Sequence, residues 1–313
     1  MHPLVLLAAK AVAAVALDQL LGEPRRWHPL VLFGRYARAL ENLIRPHGPG
    51  HLMGMLAWCA AVLPGFFLAG WLHARGPVVA AVVDVLLLYF ALGRRSLAEH
   101  AAAVAGPLAA GDLPAAREQV GRMVSRETQS LDEEEVAKAT VESVLENGND
   151  AVFGALFWFV LLGGAGALLF RLANTLDAMW GYRTPRYLRF GWAAARIDDV
   201  LNFVPARLTA LSYALLGELR QALACWRKQA PLHDSPNAGP VMAAGAGALG
   251  LRLGGPARYH GQMEFRPTLG EGAAPAPADI HRAVGLVNRA TALWLGALVL
   301  AAALATLARL ARA

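Results

Sequence analysis

Apolar residues in this chain form long blocks that are separated by polar, arginine-rich segments. An α-helix of about twenty residues crosses the ~30 Å hydrocarbon core of a bilayer, so blocks of this length predict membrane-spanning helices. The predicted spans cover residues 4–21, 52–72, 78–92, 152–170, 200–219 and 291–308. A short turn joins the second and third into a helical hairpin. Asp84 lies inside the third span, where an acid either serves a function or pairs with a neighbouring group.

The block at 152–170 differs from the others because a glycine-rich stretch, 163–166, interrupts its middle. Arginines mark cytoplasmic loops, and the loop at 22–51 holds five of them, whereas the turn between the second and third spans holds one. This asymmetry places 22–51 and 93–150 in the cytoplasm. A full crossing at 152–170 would put the arginine-rich segment 171–207 outside. The block therefore either spans or re-enters, and re-entry at the glycines satisfies the charge pattern.

The polar segments between the spans predict amphipathic helices over 98–110, 114–124 and 131–146. Residues 220–290 are rich in glycine and proline and show no clear period. The predicted fold class is therefore all-α, a polytopic membrane helical bundle with cytosolic amphipathic helices and the segment that spans or re-enters. We expect residues 1–313 to form a single integral membrane domain.

Composition supports a membrane protein and excludes several other classes. Of the 313 residues, 56% are hydrophobic and only 17% are charged, whereas soluble domains carry about 25% charged residues. The net charge is +6, but the basic residues flank apolar blocks and do not form the clustered polar surface that nucleic-acid binding needs. Cys59 and Cys225 form no CxxC pair, so neither a zinc site nor a disulfide framework is indicated.

Three acids spaced four residues apart form the most informative polar group. Glu142 and Glu146 share a helix face, and Asp150 continues that line if the helix persists. Like charges at this spacing destabilise a helix, so they need a compensating cation. That cation is either a metal such as Mg²⁺, which binds carboxylates together with phosphate oxygens, or an arginine. The alternative is a solvated acidic face that continues from 133–135.

Other polar groups lie at the edges of apolar blocks. Two sets of Arg, Asn and Asp repeat at helical spacing, namely Arg171, Asn174 and Asp177, and Arg196, Asp199 and Asn202. They indicate either a polar pocket at the membrane interface or ordinary salt bridges at helix ends. Ser235 or Asn237 is placed to cap a helix that starts near Val241, and such a helix start favours anions. His28 before Pro29 is more typical of a structural turn than of catalysis.

Seven short motifs follow one another along most of the chain. Their residues are Asp18 to Pro24 with His28-Pro29 and Gly34, Ser125 to Thr128, Val141-Glu142-Ser143 with Glu146-Asn147 and Asp150, Asn174 to Met179 with Gly181-Tyr182-Arg183, Ala195 to Asp199 with Pro205 to Leu208, Ser235 to Gly239, and Gly254-Gly255-Pro256 with Tyr259-His260-Gly261. In this order they resemble the CobD/CbiB family of cobalamin biosynthesis, the adenosylcobinamide-phosphate synthases. Glu23 and Glu127 stand where that family usually has Asp, and Gly148 stands where it usually has Thr.

The resemblance implies a ligase that joins adenosylcobyric acid to aminopropanol, or to its phosphate, through an amide bond. It also implies ATP and Mg²⁺ as cofactors and a multi-pass location in the bacterial cytoplasmic (inner) membrane, with the active site on the cytosolic side. The expected partners are the corrinoid, the amine substrate and the lipid bilayer, but not nucleic acid. A homo-oligomer and contacts with other enzymes of the corrinoid pathway are both left open.

Matching the motifs residue by residue gives the expected site. The residues expected in catalysis are Glu142, Glu146, Asn147, Asp150, Asp177, Asp198 and Asp199. The residues expected to bind substrate are His28, Arg126, Thr128, Asn174, Thr175, Arg183, Arg196, Arg207, Ser235 and Asn237. The expected Mg²⁺ ligands are Glu146, Asp150 and Asp199. We expect these side chains to gather in one cavity at the cytosolic lipid boundary.

The sequence also allows two hypotheses from other functional classes. A membrane transporter of a small anionic substrate or a corrinoid would also place Arg, Asp and broken helices within the membrane. A non-catalytic scaffold that holds other corrinoid enzymes at the membrane would bind without ATP turnover. The chain has no GxxxxGK[ST] motif, so a nucleotide would bind without a P-loop.

Overall fold

The computed structural model describes residues 2–24, 28–48, 50–259 and 261–312. Its helices are α1 Pro3–Leu21, α2 Pro29–Ile44, α3 His51–His73, α4 Pro77–Ala91, α5 Arg94–Ala109, α6 Leu113–Val120, α7 Glu133–Gly148, α8 Gly154–Trp180, α9 Trp192–Leu215, α10 Leu219–Gln229, α11 Ala238–Leu249 and α12 Pro277–Leu310. Its strands are β1 Leu253–Gly254, β2 Ala257–Tyr259, β3 Gln262–Glu264 and β4 Thr268–Leu269. Strand β1 pairs antiparallel with β4, and β2 pairs antiparallel with β3.

Long apolar helices dominate the described fold and confirm the all-α, polytopic membrane class. Five helical runs are long and apolar enough to cross a bilayer, and they are Pro3–Leu21, His51–His73, Pro77–Ala109, Glu133–Trp180 and Pro277–Leu310. Each contains one predicted span. The sixth block, 200–219, falls largely in α9, which is not among these runs because polar residues occupy its first turns. A crossing there stays a prediction.

Two regions are more ordered than their composition suggested. The loop at 22–51 contains helix α2, which begins at a proline, and the Nδ1 of His28 accepts a hydrogen bond from the backbone N–H of Leu30 at 3.2 Å. The region 220–290 contains α10, α11 and both small sheets. The arginines Arg25 and Arg26 of the basic loop, and His260 of the last motif, lie outside the described residues.

The chain divides into two compact units. Unit 1 consists of Met1–Gly93, Asp150–Asn202 and Leu295–Ala313, and unit 2 consists of Arg94–Asn149 and Phe203–Trp294. This division does not test the single integral membrane domain expected over 1–313, which stays a prediction.

The core of unit 1 forms where α2, α3 and α8 pack through small residues. Alanines at Ala37, Ala57 and Ala173 are fully buried, and they let the helices approach closely around Trp180 and Phe190. The rings of this last pair meet edge to face with centroids 5.3 Å apart. Packing of this kind fixes the end of α8, from which several predicted site residues project.

Helix α8 is a hairpin of two helical arms that turns at Gly163. This residue has φ 64° and ψ −155°, outside the helical region. A Cβ added at Gly154 would overlap the ring of Phe170, and one added at Gly166 would overlap the carbonyl of Trp158. In a straight helix these pairs would be ~24 Å and ~12 Å apart. The chain therefore folds back on itself, and the turn predicted at these glycines is present.

The apolar part of the arm before Gly163 is short for a bilayer crossing. It runs from Ala151 to Leu162 after the polar pair Asn149-Asp150, about 18 Å at 1.5 Å per residue, whereas the hydrocarbon core is ~30 Å thick. The re-entrant alternative fits this geometry better than a full crossing does. Entry of this hairpin into the bilayer, and its return to the same side, stay predictions.

Asp84 of helix α4 holds the turn of this hairpin. Its Oδ1 accepts the backbone N–H of Gly164 at 2.8 Å, and its Oδ2 lies 2.6 Å from the Nζ of Lys10. The Nδ1 of His73 lies 3.3 Å from Oδ1. Because the first residues of a helix have backbone N–H groups without intrahelical partners, Asp84 caps the second arm from a neighbouring helix. The acid inside the third predicted span therefore pairs with neighbouring groups.

This arrangement predicts a coupled loss of stability. Replacing Asp84 by Asn leaves the Lys10 ammonium without a counter-ion, and removing one partner of a buried ion pair costs about 3–5 kcal/mol. Lys10→Met strands the carboxylate in the same way. We expect each single variant to lower the unfolding temperature in detergent, and the double variant to lose less than the sum of the two. Additive losses would contradict the coupling.

Candidate functional site

The predicted site residues fall into two groups, one in each unit. Those in unit 1 are His28, Asp150, Asn174, Thr175, Asp177, Arg183, Arg196, Asp198 and Asp199. Those in unit 2 are Arg126, Thr128, Glu142, Glu146, Asn147, Arg207, Ser235 and Asn237. Each group is described by itself, and the single cavity expected from the sequence stays a prediction.

Asp198 is the most buried carboxyl of the unit 1 group. Its Oδ1 accepts from the Nδ2 of Asn174 at 3.3 Å, and its Oδ2 accepts from the Nδ2 of Asn202 at 3.0 Å. Burial, followed by the negative charges of Asp150 and Asp177, raises the pKa of Asp198 well above its ordinary value. Two amides and two carboxyls thus surround the Asp198 carboxyl, and they favour its protonated form.

The neighbouring Asp199 faces arginine. The Nη1 of Arg196 lies 3.2 Å from its Oδ2, one helical turn before it on α9. Burial raises the pKa of Asp199, while Arg196 and the charge of Arg183 act in the opposite direction. The Arg and Asp repeat noted in the sequence therefore forms an ion pair here, beside the cluster of carboxyls around Asp198.

Arg171, which belongs to one of the Arg, Asn and Asp repeats but not to the expected site, lies near His28 and Asp150 in unit 1. Its Nε is buried and has no hydrogen-bond partner within the described ranges. The guanidinium lies close enough to His28 for its charge to lower the pKa of that imidazole, although burial is the larger cause and Glu23 opposes both. The hydroxyl of Thr175 donates to the carbonyl of Arg171 at 2.7 Å, within α8, and its expected contact with substrate stays a prediction.

Glu142 of helix α7 is the centre of the unit 2 group. The Nη2 of Arg126 donates to its Oε2 at 2.6 Å, the Nη2 of Arg266 lies 3.2 Å from the same oxygen, and the backbone N–H of Gly254 donates to Oε1 at 2.7 Å. Together these donors occupy both carboxylate oxygens of a side chain that is 5% exposed. Glu142 therefore positions the two arginines and the start of β1.

A small polar pocket lies beside Glu142. Its volume is about 140 Å³, and its lining includes Ser125, Arg126, Glu142, Ser143, Glu146, Asn147, Tyr259 and Arg266. The Nδ2 of Asn147 donates to the carbonyl and to the hydroxyl of Ser143, at 2.9 and 3.1 Å. We call it the Glu146 pocket.

A larger, more open cleft of about 610 Å³ shares Arg126 with the Glu146 pocket. It is also lined by Arg122, Glu127, Thr128 and Arg258. The Oε1 of Glu127 accepts the backbone N–H of Gly261 at 2.6 Å, and the backbone N–H of Glu127 donates to the carbonyl of Arg258 at 2.9 Å. Glu127, which replaces the usual Asp of the family motif, thus anchors the β2–β3 hairpin.

Helix α11 begins at Ala238, three residues before the predicted start, and of the two predicted caps Ser235 supplies the hydrogen bond while the side chain of Asn237 does not. The Oγ of Ser235 accepts from the backbone N–H of Ala238 at 3.1 Å and so caps the first turn of that helix. The Oδ1 of Asn237 accepts from the Nη1 of Arg207 at 2.6 Å, and this guanidinium also stacks on the ring of Phe203 at 3.8 Å. Arg207 and Asn237 therefore act as a pair.

The described residues contain no group of three His, Cys, Asp or Glu side chains arranged to hold a metal ion. The expected ligand set of Glu146, Asp150 and Asp199 stays a prediction. Mg²⁺ in phosphate-binding sites needs only one or two carboxylates, because substrate oxygens and water complete its shell. The oxygen donors around Asp198 fit that chemistry.

The buried carboxyl of Asp198 predicts that the stability of the protein depends on pH. Because the pKa of Asp198 is raised on folding, the folded state holds this proton more tightly than the unfolded chain does. The stability it supplies is present at low pH and is lost as pH rises through the raised value. We expect the unfolding temperature of the wild type to fall between about pH 5 and about pH 8, and that of Asp198→Asn to fall less over the same range. Asp234→Asn, at an exposed carboxyl, is the matched control, and equal pH slopes in all three proteins would contradict the assignment.

Comparison with known proteins identifies the family. The model of the family described as CobD/Cbib protein matches residues 11–287. The chain is similar to proteins named Cobalamin biosynthesis protein CobD from three organisms. The Chromobacterium violaceum protein is 61% identical over 93% of this chain and 95% of its own length. The Stutzerimonas stutzeri protein is 59% identical over 91% and 94%, and the Mycobacterium tuberculosis protein is 42% identical over 86% and 88%. No solved structure matches the chain.

The match runs from the middle of α1 to the first third of α12, and it covers the elements that carry both groups of site residues. The motifs that suggested the resemblance lie within it, in the order in which the sequence presented them. The chain therefore belongs to the CobD/CbiB family of cobalamin biosynthesis proteins.

Proposed function

We propose that this protein joins adenosylcobyric acid to aminopropanol, or to aminopropanol phosphate, through an amide bond at the expense of ATP. The observation that carries the proposal is the concentration of the family's motif residues in two polar groups within an apolar protein. One group is rich in carboxyls, and the other combines carboxylates with arginines. Amide ligation needs both kinds of group.

The chemistry explains that need. A carboxylate is a poor electrophile, so one of its oxygens first attacks the γ-phosphorus of ATP, and ADP leaves. The amine nitrogen then attacks the acyl carbon of the acyl phosphate, and inorganic phosphate and a proton are released. Cationic side chains that neutralise phosphoryl oxygens lower the first barrier. A base that takes the ammonium proton lowers the second.

The residues of unit 1 support the proton-transfer role. A carboxyl whose pKa is raised is better matched to proton transfer near neutral pH than an ordinary aspartate is. Asp198 has this property, and the amide side chains of Asn174 and Asn202 hold it in place. We assign it as the base of the second step, with Asp177 as its neighbour.

Mg²⁺ would be held by Asp150 and Asp199, the members of the expected ligand set in unit 1. When bound, the ion supplies positive charge to the phosphates of ATP. Arg183 and Arg196 add positive charge at the same edge of the group. We place the reaction at the cytosolic side of the cytoplasmic membrane, where ATP is available.

The proposal predicts a covalent product. We expect the detergent-purified protein, incubated with adenosylcobyric acid, aminopropanol phosphate, ATP and Mg²⁺, to form a corrinoid whose mass corresponds to loss of one water between acid and amine, together with ADP. Mass spectrometry of the corrinoid measures this. An unmodified corrinoid would contradict the ligase, and flux of the corrinoid into proteoliposomes without a product would favour the transporter.

The metal assignment predicts the effect of one substitution. Asp199→Asn keeps the size of the side chain but removes its charge, and we expect it to lower the rate of amide formation by about 100-fold while membrane insertion is unchanged. Glu146→Gln tests the remaining member of the expected set in the same assay. Asp112→Asn, at the exposed start of α6, is the control. Full activity of both Asp199→Asn and Glu146→Gln would contradict the assignment.

A further inference from the structure

Helix α2 connects two helices that are long and apolar enough to cross a bilayer. It follows α1 and precedes α3, and both of those helices are candidate spans, whereas α2 is not. When α1 and α3 cross, the end of the first and the start of the second therefore lie at the same face of the membrane. Helix α2 then runs along that face.

The exposed surface of α2 carries an apolar stripe and a basic stripe. Leu32, Tyr36 and Leu43 recur at helical spacing, and their exposed fractions are 44%, 45% and 65%. Arg35 and Arg38 are exposed beside them, about 110° further round the helix at 3.6 residues per turn. A helix with this pattern lies in the interface, with its apolar stripe against acyl chains and its basic stripe at the headgroups. We call these five residues the α2 surface.

The remaining face of α2 packs against the protein and brings in a further arginine. Gly34, Ala37 and Glu41 are buried on it. Glu41 is the one acid of α2, and its Oε1 accepts from the Nε and Nη2 of Arg186 at 2.9 and 2.6 Å. The Nε of Arg45 lies 3.8 Å from the same oxygen. Glu41 is thus already met by two guanidiniums, and the Arg186 side chain is still 49% exposed.

The α2 surface therefore has positive charge in excess. Within 2–24, 28–48, 50–259 and 261–312, neither Arg35 nor Arg38 has an acidic partner. An acidic phospholipid complements both stripes at once, because its phosphate accepts hydrogen bonds from guanidinium groups and its acyl chains contact the apolar stripe. A soluble anion would occupy the basic stripe alone and leave the apolar stripe in water.

We propose that the α2 surface binds acidic phospholipid in preference to zwitterionic phospholipid. Arg35 and Arg38 hold the headgroup phosphate, and Leu32, Tyr36 and Leu43 lie against the acyl chains. The charge pattern of the loop at 22–51 then serves to bind a lipid as well as to set the orientation in the membrane. The proposal does not depend on the proposed ligase activity.

Native mass spectrometry of the detergent-purified protein tests the proposal, with phosphatidylglycerol and phosphatidylcholine of the same acyl chains at equal concentration. We expect the wild type to retain more phosphatidylglycerol. We expect the double variant Arg35→Gln, Arg38→Gln to lower bound phosphatidylglycerol at least about 5-fold while bound phosphatidylcholine changes less than about 2-fold. Equal retention of phosphatidylglycerol by the wild type and this variant would overturn the proposal.

The matched control is the double variant Arg220→Gln, Arg227→Gln. It removes the same charge from exposed positions of α10, a helix whose buried residues Ala222 and Cys225 leave no exposed apolar stripe like that of α2. We expect this variant to retain phosphatidylglycerol as the wild type does. An equal loss in both double variants would show a response to net charge alone and would overturn the assignment to α2.

Two further measurements separate the lipid from other occupants of the α2 surface. Glycerol 3-phosphate offers a phosphate without acyl chains, and we expect an excess of it to leave bound phosphatidylglycerol unchanged. Leu43→Gln keeps both arginines, and we expect it to lower bound phosphatidylglycerol. Displacement of the lipid by glycerol 3-phosphate would assign the arginines to a soluble anion. A dimer that forms without lipid and is lost in Leu43→Gln would assign the apolar stripe to a second copy, and either result would overturn the proposal.

Discussion

A charge that is buried in an apolar protein must be met by an opposite charge or by hydrogen-bond donors, and this constraint organises the whole molecule. Asp84 meets it with the Lys10 ammonium and the backbone N–H of Gly164. Glu142 meets it with two arginines and the N–H of Gly254. In each case the acid fixes a segment that is distant along the chain, a helical turn in the first and a strand in the second.

Asp198 meets the same constraint differently. Its hydrogen-bond donors in the described chain are the neutral amides of Asn174 and Asn202, and the nearby charges of Asp150 and Asp177 are negative. Such a carboxyl favours its proton or a bound cation. The contrast separates acids that stabilise the fold from an acid suited to chemistry, and the proposed role of Asp198 as a base follows from it.

Local pattern predicted most of the helices and the shape of the hairpin. Apolar blocks of about twenty residues need a helix in order to be buried in lipid, and glycine at position 163 permits the positive φ at which the arms reverse. A cap by Ser235 or Asn237 was also predicted, because it depends on residues a few positions apart, and Ser235 supplies it. These features are encoded over short stretches of sequence, so the sequence was sufficient for them.

Contacts between distant residues were not predictable in this way. Arg266 lies 124 positions from Glu142, in a Gly- and Pro-rich region without a period, and no spacing rule joins the two. A shared face for Glu142, Glu146 and Asp150 requires a regular α-helix, but Asp150 lies within the π-helical turn over Asn149–Phe153, which changes its register relative to Glu146. The gathering of the site into two groups depends on such long-range packing.

The fate of the carboxylate oxygen shows whether the acid is activated as an acyl phosphate. If the acid is activated by attack on the γ-phosphorus of ATP, a corrinoid acid labelled with ¹⁸O in its reacting carboxylate transfers one labelled oxygen to inorganic phosphate during amide formation. Mass spectrometry of the released phosphate measures this transfer. Activation as an acyl phosphate gives one ¹⁸O in each phosphate released. Label in AMP, or in neither phosphate nor AMP, would exclude this route.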